Sequence, residues 1–431
     1  MKTIAIIAEY NPFHRGHAYQ LQEARRILGQ DCAVVIAMSG CFTQRGEPAL
    51  ADKWRRARMA MAGGADLVLE LPFAYACGSA ERFGRGAVQM LQATGLDCHL
   101  VFGSESGDLG ALSRLAGLLA PESGEYRLLL KEQLDLGRAF PAARQSALAK
   151  LTGKPDEAAL LASSNNILAV EYLKAIKLTP DCHLQPLTIA RQGAAYGDAD
   201  LPDKASGLAA GATALRRIAR SCCPPDGRPV DLAGLLQNLS GQIPPAVLAE
   251  WLTGLQSGER PLFLEDFAAT GLSLLRSRTV SDLDVIAGMN EGLGRRLAAA
   301  AARPACSPPG GRLEAVLAEA DTRRFTRTRL QRAMIALMAG LREEDLARFD
   351  QAGGPQYLRI LGFTKRGRYL LKVMRRLAGL PVITKASDFL EYQHKEPLTR
   401  MAELDLIAAD LWMLAAGRPC GQDFDTPVAM Y

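Results

Sequence analysis

Nothing in the 431-residue sequence approaches eighteen consecutive apolar residues without a charge, so no helix built to cross a bilayer, and no membrane partner, is expected. The first residues pass straight into an apolar stretch rather than a charged leader and signal core, and the expected location is the cytoplasm. Cysteine occurs nine times, an odd number, and never as CxxC, which points to buried reduced thiols rather than a disulfide or zinc framework. The adjacent pair Cys222 and Cys223 reads as loop beside Pro224 and Pro225. Cys41 has no base set beside it by the sequence and is not read as a nucleophile. Internal repeats, low-complexity segments and a dedicated carboxylate cluster for a metal are all missing, and there are only five histidines.

What is present is a globular composition, 48% hydrophobic and 23% charged, in a chain long enough for two or three domains. Its net charge of +5 is unevenly spread. Residues 321–376 hold fourteen Lys or Arg and five Asp or Glu, a net of +9, which leaves −4 for the remainder. A positive field concentrated in one segment is what a nucleic-acid backbone footprint requires.

Residues 3–8 are short, β-rich and apolar on both faces, as in a buried parallel strand. Residues 32–40 read as a second strand ending in a glycine turn, 66–71 as a third stopped by Pro72, and 98–102 as a fourth running into Gly103. Helical patterns fill the intervals, one beginning near His14, one over 49–62 and one from Ser79 to Leu91. This alternation predicts an α/β fold, a doubly wound parallel sheet with ligands outside the carboxyl ends of its strands. Within 49–62, Trp54 and Met61 are expected in the core, and Lys53, Arg55, Arg56 and Arg58 on a solvated face.

Further along, 121–162 reads as a helical insertion, 165–177 as a helix, 183–190 as a strand ending at Arg191, and 208–220 as a Gly/Thr turn into a basic helix. The run CCPPDGR at 222–228 reads as a boundary. Beyond it, 229–380 shows helical periodicity with few strand signals, including an amphipathic basic helix over 324–341 and a second basic patch over 364–376. The expected organisation is a nucleotide-binding domain at 1–225, a mainly helical basic domain at 226–385, and a tail at 386–431 that packs back on the body.

The turn after the first strand reads EYNPFHRGH, residues 9–17. Asn11-Pro12 disfavours helix before the proline, and Gly16 lets backbone come close to a ligand. If the helix begins near His14, then His14 and His17 share a face at its N-terminus, where free N–H groups and the dipole favour an anion such as a polyphosphate. Two other readings stand beside this one: ordinary loop histidines, and a zinc pair. The second lacks a Cys or carboxylate at a matching spacing in the loop. Gln44 and Arg45, after the second strand, are candidates for contact with a small substrate or a target base.

HRGH at 14–17, directly after a first strand, resembles the signature of the HIGH-type nucleotidyltransferase superfamily. Taken in order with MSGCFTQRGEPA (38–49), LVLELPFAYA (67–76), VFGSE (101–105) and NNIL (165–168), it resembles the tRNA(Met) cytidine acetate ligases over most of the chain. The resemblance implies a HIGH-nucleotidyltransferase, Rossmann-like sheet followed by a helical domain, and a two-step reaction. Acetate attacks the α-phosphate of ATP to give acetyl-adenylate, and the exocyclic amine of the wobble cytidine of elongator tRNA(Met) then takes the acetyl group.

By the same resemblance, His14 and His17 are catalytic, stabilising the departing pyrophosphate. ATP is lined by Ile7, Ala8, Glu9, Tyr10, Asn11, Pro12, Phe13, His14, Arg15, Gly16, His17, Ala18, Tyr19 and Gln20, with Gly103, Asn165, Arg191 and Gln192 completing the pocket. The stretch GATALRR (211–217) corresponds to a late phosphate-closing motif, with Thr213 and Arg216 as candidate contacts and Gly211 where relatives often carry Ser. Arg327, Arg329, Arg332, Lys365 and Arg366 are the tRNA-binding candidates, interleaved with Phe325, Tyr357, Phe363 and Tyr369 that could stack on bases. The implied partners are ATP, acetate and elongator tRNA(Met), with no obligate protein partner indicated; magnesium alongside ATP is compatible on general grounds. Two other functions stay open on the residues alone: an adenylyl- or cytidylyltransferase acting on a small metabolite, and a non-catalytic RNA-binding protein.

Overall fold

Strands Thr3–Ala8 (β1), Ala33–Ser39 (β2) and Leu67–Leu71 (β3) are apolar on both faces because both faces are covered, and their side chains are buried almost throughout. They form the centre of a sheet in the computed structural model, which describes residues 2–191, 210–224, 230–303 and 312–431. With Cys98–Ser104 (β4) and Gln185–Ala190 (β5), they pair in parallel in the order β5-β4-β1-β2-β3. The chain builds outward from β1 to β3, then returns to the other side of β1 for β4. That reversal opens a crevice at the carboxyl ends of β1 and β4, the place where doubly wound sheets bind ligands.

Helices Arg15–Leu28 (α1), Lys53–Ala62 (α2), Ala80–Ala93 (α3), Ser164–Leu178 (α4) and Ala212–Cys222 (α5) fall where the apolar periodicity put them. Asp52 and Ser79 cap α2 and α3, accepting hydrogen bonds from Arg55 N and Arg82 N. Residues 121–162 are helical, as the pattern predicts. The CCPPDGR run lies partly outside the described residues, since 225–229 are not among them.

One expectation is refined and a second corrected. The range 229–380 is not only helical: Leu358–Phe363 (β6) joins the sheet antiparallel to β3, and Val382–Ile383 (β7) and Ala429–Met430 (β8) pair with β6. A six-residue strand whose partner lies nearly three hundred residues upstream leaves no local period to read. The rest of this region is helical, including Arg327–Ala339 (α6) and Lys365–Leu377 (α7).

The correction concerns α2. Lys53, Arg55 and Arg56 are not on a solvated face; Lys53 and Arg56 are each 1% exposed, beside the buried Trp54 and Met61. Lys53 Nζ lies 2.9 Å from Glu70 Oε2 and 2.8 Å from Asp423 Oδ1. Arg55 makes a forked pair with Glu259, and the half-buried Arg58 lies 3.9 Å from Glu250. Arg56 donates to four backbone carbonyls, those of Glu9 (2.7 Å), Ser39 (2.9 Å), Ala51 (3.1 Å) and Gly40, and so ties the ends of β1 and β2 together.

The sequence left open where the tail packs. Trp412 Nε1 donates to Ala49 O at 2.9 Å, and Asp405 accepts from Phe73 N at 2.7 Å and from the Tyr357 hydroxyl at 2.5 Å. Residues 398–423 therefore seal the side of the sheet where β3, α2 and β6 meet.

Candidate functional site

A cleft of about 320 Å³ occupies the predicted crevice. One wall is the turn from β1 into α1. His14 is the N-cap of α1: its Nδ1 accepts from Gly16 N at 3.0 Å, while His17 Nδ1 accepts from His14 N at 3.2 Å. The two ring centroids are 3.9 Å apart. Because each Nδ1 is an acceptor, the proton of the neutral ring sits on Nε2, leaving an N–H donor on each histidine. Burial pushes both rings toward that neutral form. The His14 pKa falls to about 3, first through burial and then through the nearby Arg191 charge. His17 falls well below its ordinary value through burial, His14 and Arg191.

Gly16 has a nearer cause than ligand approach: a Cβ there would stand 2.9 Å from His14 Cε1 and 3.1 Å from Nδ1. The glycine in HxGH makes room for the first histidine. Of the residues assigned to ATP, Ile7, Ala8, Glu9, Tyr10, Asn11, His14, Gly16, His17, Tyr19 and Gln20 line the cleft. Pro12, Phe13, Arg15 and Ala18 do not. Phe13 is fully buried under Gly63, Ala18 packs on the core, and Arg15 Nη1 points away to Gly241 O at 3.3 Å.

The second wall joins β4, α4 and β5. Gly103, Asn165 and Arg191 all line the cleft, and Arg191 Nη1 donates to Asn165 Oδ1 at 3.2 Å. Two residues that the motif reading did not assign hold this wall. Glu105 caps α4, accepting from Asn166 N at 2.8 Å and Asn165 Nδ2 at 2.7 Å, and Asn166 Oδ1 accepts in return from Glu105 N at 3.0 Å. Both lie within the VFGSE and NNIL blocks, but only the fold shows that the blocks clasp each other. Phe83, Leu168 and Tyr172 supply an apolar side of the cleft that sequence reasoning also missed. Gln192 lies outside the described residues.

The third wall is the loop after β2 with the start of α5. Glu9 Oε1 accepts from Gln44 N at 2.8 Å, and Gln44 Nε2 donates to Gly78 O at 3.1 Å. Gln44, Arg45 and Glu47 line the cleft with Gly211, Thr213 and Arg216. Arg216 lies 3.5 Å from Glu47 and donates to Pro48 O at 3.2 Å. Among the described residues no side chain caps the start of α5, so a second helix N-terminus faces the cavity that α1 faces. Two such ends on one cavity suit a chain of phosphates.

A family model for the HIGH nucleotidyl transferases matches residues 1–425. The tRNA(Met) cytidine acetate ligase of Acetivibrio thermocellus is 37% identical, with 98% of each chain covered, and that of Caldanaerobacter subterraneus is 37% identical over 96% of each. The chain belongs to the tRNA(Met) cytidine acetate ligase family. Thermotoga maritima TmcAL bound with alpha-thio ATP superposes with a TM-score of 0.87 at 32% identity, covering 100% of this chain and 99% of the other. Its apo form gives 0.88. The α/β sheet with its helical region is thus the fold of this ligase family.

The tRNA candidates of this family member are not gathered on one face. In α6, Arg327 pairs with Glu314, Arg329 with Glu291 (3.2 Å) and Asn290 (2.7 Å), and Arg332 donates to Gln44 O at 3.4 Å. Gly46, with φ +74, lies so close to α6 that a Cβ would overlap the Arg332 backbone, so the loop carrying Gln44 and Arg45 is seated on α6. Lys365 and Arg366 begin α7 at the opposite rim: Thr364 Oγ1 donates to Asp66 Oδ1 at 2.9 Å and Arg366 to Cys32 O at 3.3 Å, at the amino ends of β3 and β2. Two of the proposed stacking aromatics are interior, Tyr357 at 0% and Phe325 at 8% exposure; Phe363 is half-buried, and Tyr369 on α7 is 59% exposed. Cys41 is buried, and burial raises its thiol pKa, which agrees with a non-nucleophile. Among the described residues no group of three or more His, Cys, Asp or Glu side chains could hold a metal ion, and no helix is long and apolar enough to cross a membrane.

Proposed function

We propose that this protein is an ATP-dependent acetate ligase that forms acetyl-adenylate and transfers the acetyl group to N4 of the wobble cytidine in elongator tRNA(Met), in the cytoplasm. The observation that carries the reading is the pair of neutral histidines at the α1 N-terminus, facing the same cleft as the uncapped start of α5. In the first step, Nε2–H of His14 and His17, the amides of both helix starts and Arg191 stabilise charge growing on the departing pyrophosphate. The acetate oxygen is held in line with the α-phosphate. Magnesium, where ATP brings it, would add charge neutralisation at the phosphates.

Residues 1–225 carry the adenylation site, 226–385 the RNA-facing helices and 386–431 the sealing tail, with β6 lent to the catalytic sheet. The deciding experiment incubates the protein with ATP, labelled acetate and total tRNA. Label in cytidine is expected; pyrophosphate release with a different acceptor and no label in RNA overturns the reading.

Gly16→Ala is expected to lower acetate-dependent ATP–pyrophosphate exchange on the order of 10²-fold, because the new methyl displaces the His14 ring. Unchanged exchange kinetics would show that the ring can shift without loss.

A second expectation separates the basic helices. Arg327, Arg329 and Arg332 are engaged with protein groups, whereas Arg368, Lys372 and Arg375 on α7 are exposed. Replacing these three by Ala should weaken tRNA binding and reduce the salt slope of its log Kd by roughly 0.7–0.9 for each phosphate no longer neutralised, with far less effect on exchange. An unchanged slope would remove α7 from the RNA footprint.

A further inference from the structure

The cleft is electrically divided. At one end His14 and His17 stand with the Arg191 charge. At the other, Glu9 projects from the end of β1 toward Glu47, Arg45 and Arg216. A triphosphate is drawn to the histidines, Arg191 and the two helix starts, whereas Glu47 is already paired with Arg216 at 3.5 Å and the Glu9 carboxylate itself repels phosphate. The Glu9 carboxylate suits a group that offers hydrogen-bond donors, and the cytosine amine is such a donor, one that Glu and Asp side chains accept from directly.

Glu9 is held rather than free to swing. Its Oε1 accepts from Gln44 N at 2.8 Å, its own carbonyl is gripped by Arg56 at 2.7 Å, and no hydrogen bond reaches Oε2 among the described residues. Resting on the function proposed above, we infer that Glu9 is a catalytic residue of the second step: it receives the N4 amine of the target cytidine at Oε2 and accepts its proton during acetyl transfer. The N4 lone pair attacks the acetyl carbonyl carbon, the bond from that carbon to the adenylate oxygen breaks, and AMP leaves with the bonding pair. One N4 proton passes to Glu9 and from there to solvent, so that amine plus acetyl-adenylate gives acetylcytidine, AMP and a proton. An exocyclic amine conjugated to its ring is a weak nucleophile, and a positioned carboxylate supplies what it lacks.

The surroundings suit a base. Burial raises the Glu9 pKa, opposed by the Gln44 N–H; Glu47 raises it again, while Arg45 and Arg216 lower it, for a net rise above the ordinary carboxylate value. Tyr172, Cys77 and Arg56 are the other titratable groups that feel its charge. Burial raises the pKa of Tyr172 and of Cys77 and keeps both neutral. Transfer therefore requires Glu9 ionised and slows as pH falls through its raised pKa.

The test takes the full chain, charged with ATP and labelled acetate, and follows a single turnover after tRNA is added, from pH 5 to 8. Acetate-dependent ATP–pyrophosphate exchange is measured in parallel. Glu9→Gln keeps an oxygen for the Gln44 amide and should lower transfer about 10²-fold more than exchange, with loss of the acid limb. Glu9→Asp should recover part of the rate and keep the limb. Equal losses in transfer and exchange, or an acid limb that persists in Glu9→Gln, overturn the role of Glu9 alone. A wild-type protein that exchanges pyrophosphate but never labels cytidine overturns the proposed function, and this inference with it.

Discussion

His17→Ala should lower the kcat of acetate-dependent ATP–pyrophosphate exchange on the order of 10²–10³-fold, the usual consequence of removing one preorganised donor from developing charge. The ring is fixed by the hydrogen bond from His14 N to its Nδ1, so it donates through Nε2 with no reorganisation when pyrophosphate departs. His14 needs a separate control because it also caps α1. His14→Asn retains a good cap acceptor and removes the imidazole, and exchange should still fall by a comparable factor while the helix survives. If His14→Asn loses only a few-fold, capping rather than phosphate stabilisation is the role of His14.

The pH behaviour follows from the same geometry. Both folded pKa values lie below the ordinary value, His14 at about 3, so in the ATP-free protein neither ring titrates between pH 5 and 8, as imidazole NMR shifts would report. The unfolded chain binds those protons first. Stability from this pair is full above about pH 6.5 and is lost as pH falls from there toward the folded pKa values.

Lys53→Met should cost roughly 3–5 kcal/mol of folding stability, read from urea or thermal unfolding. Burial alone would lower the Lys53 pKa, but Asp423 and Glu70 overturn that and raise it, so it is charged in the interior. Removing it leaves the Glu70 carboxylate facing Asp423, with Arg359 3.6 Å from Asp423 and Arg56 close enough to feel the Glu70 charge. A protonated Glu70 is the one cheap escape, and the Glu70 pKa, already raised by burial, should rise further, so the loss grows with pH. The triple replacement of Lys53, Glu70 and Asp423 by apolar residues of similar volume should recover most of the loss. A change below about 1 kcal/mol in Lys53→Met would mean that water reaches the cluster.

The loops at the carboxyl ends of β1, β2 and β4 were legible because their signals are local: β-rich runs, a proline and a glycine at fixed offsets, and two histidines three apart. The helix α1, the Ser79 cap and the buried Trp54 were legible for the same reason. The basic face of α2 was misread by the same logic. Four cations in six residues normally face solvent, and only the arrival of Glu70, Glu259 and Asp423 from distant parts of the chain makes a buried site for them. Glu105 and Asn166 escaped notice because a carboxylate capping a helix 60 residues later carries no spacing rule.

By itself the sequence determined the parallel α/β sheet, the turn after β1 with its paired histidines, the family, and the excess of positive charge in the later half. The tertiary structure alone decided which of those charges are buried, that β6 completes the sheet, that α6 supports the Gln44 loop while α7 lies on the opposite rim, and that Glu9 is held by the Gln44 amide. The physical reason is one of range. Strand and helix periods are set by neighbours a few residues away, whereas the environment of a charge depends on which groups pack against it, and here those groups come from as far as 370 residues along the chain, as in Asp423 with Lys53.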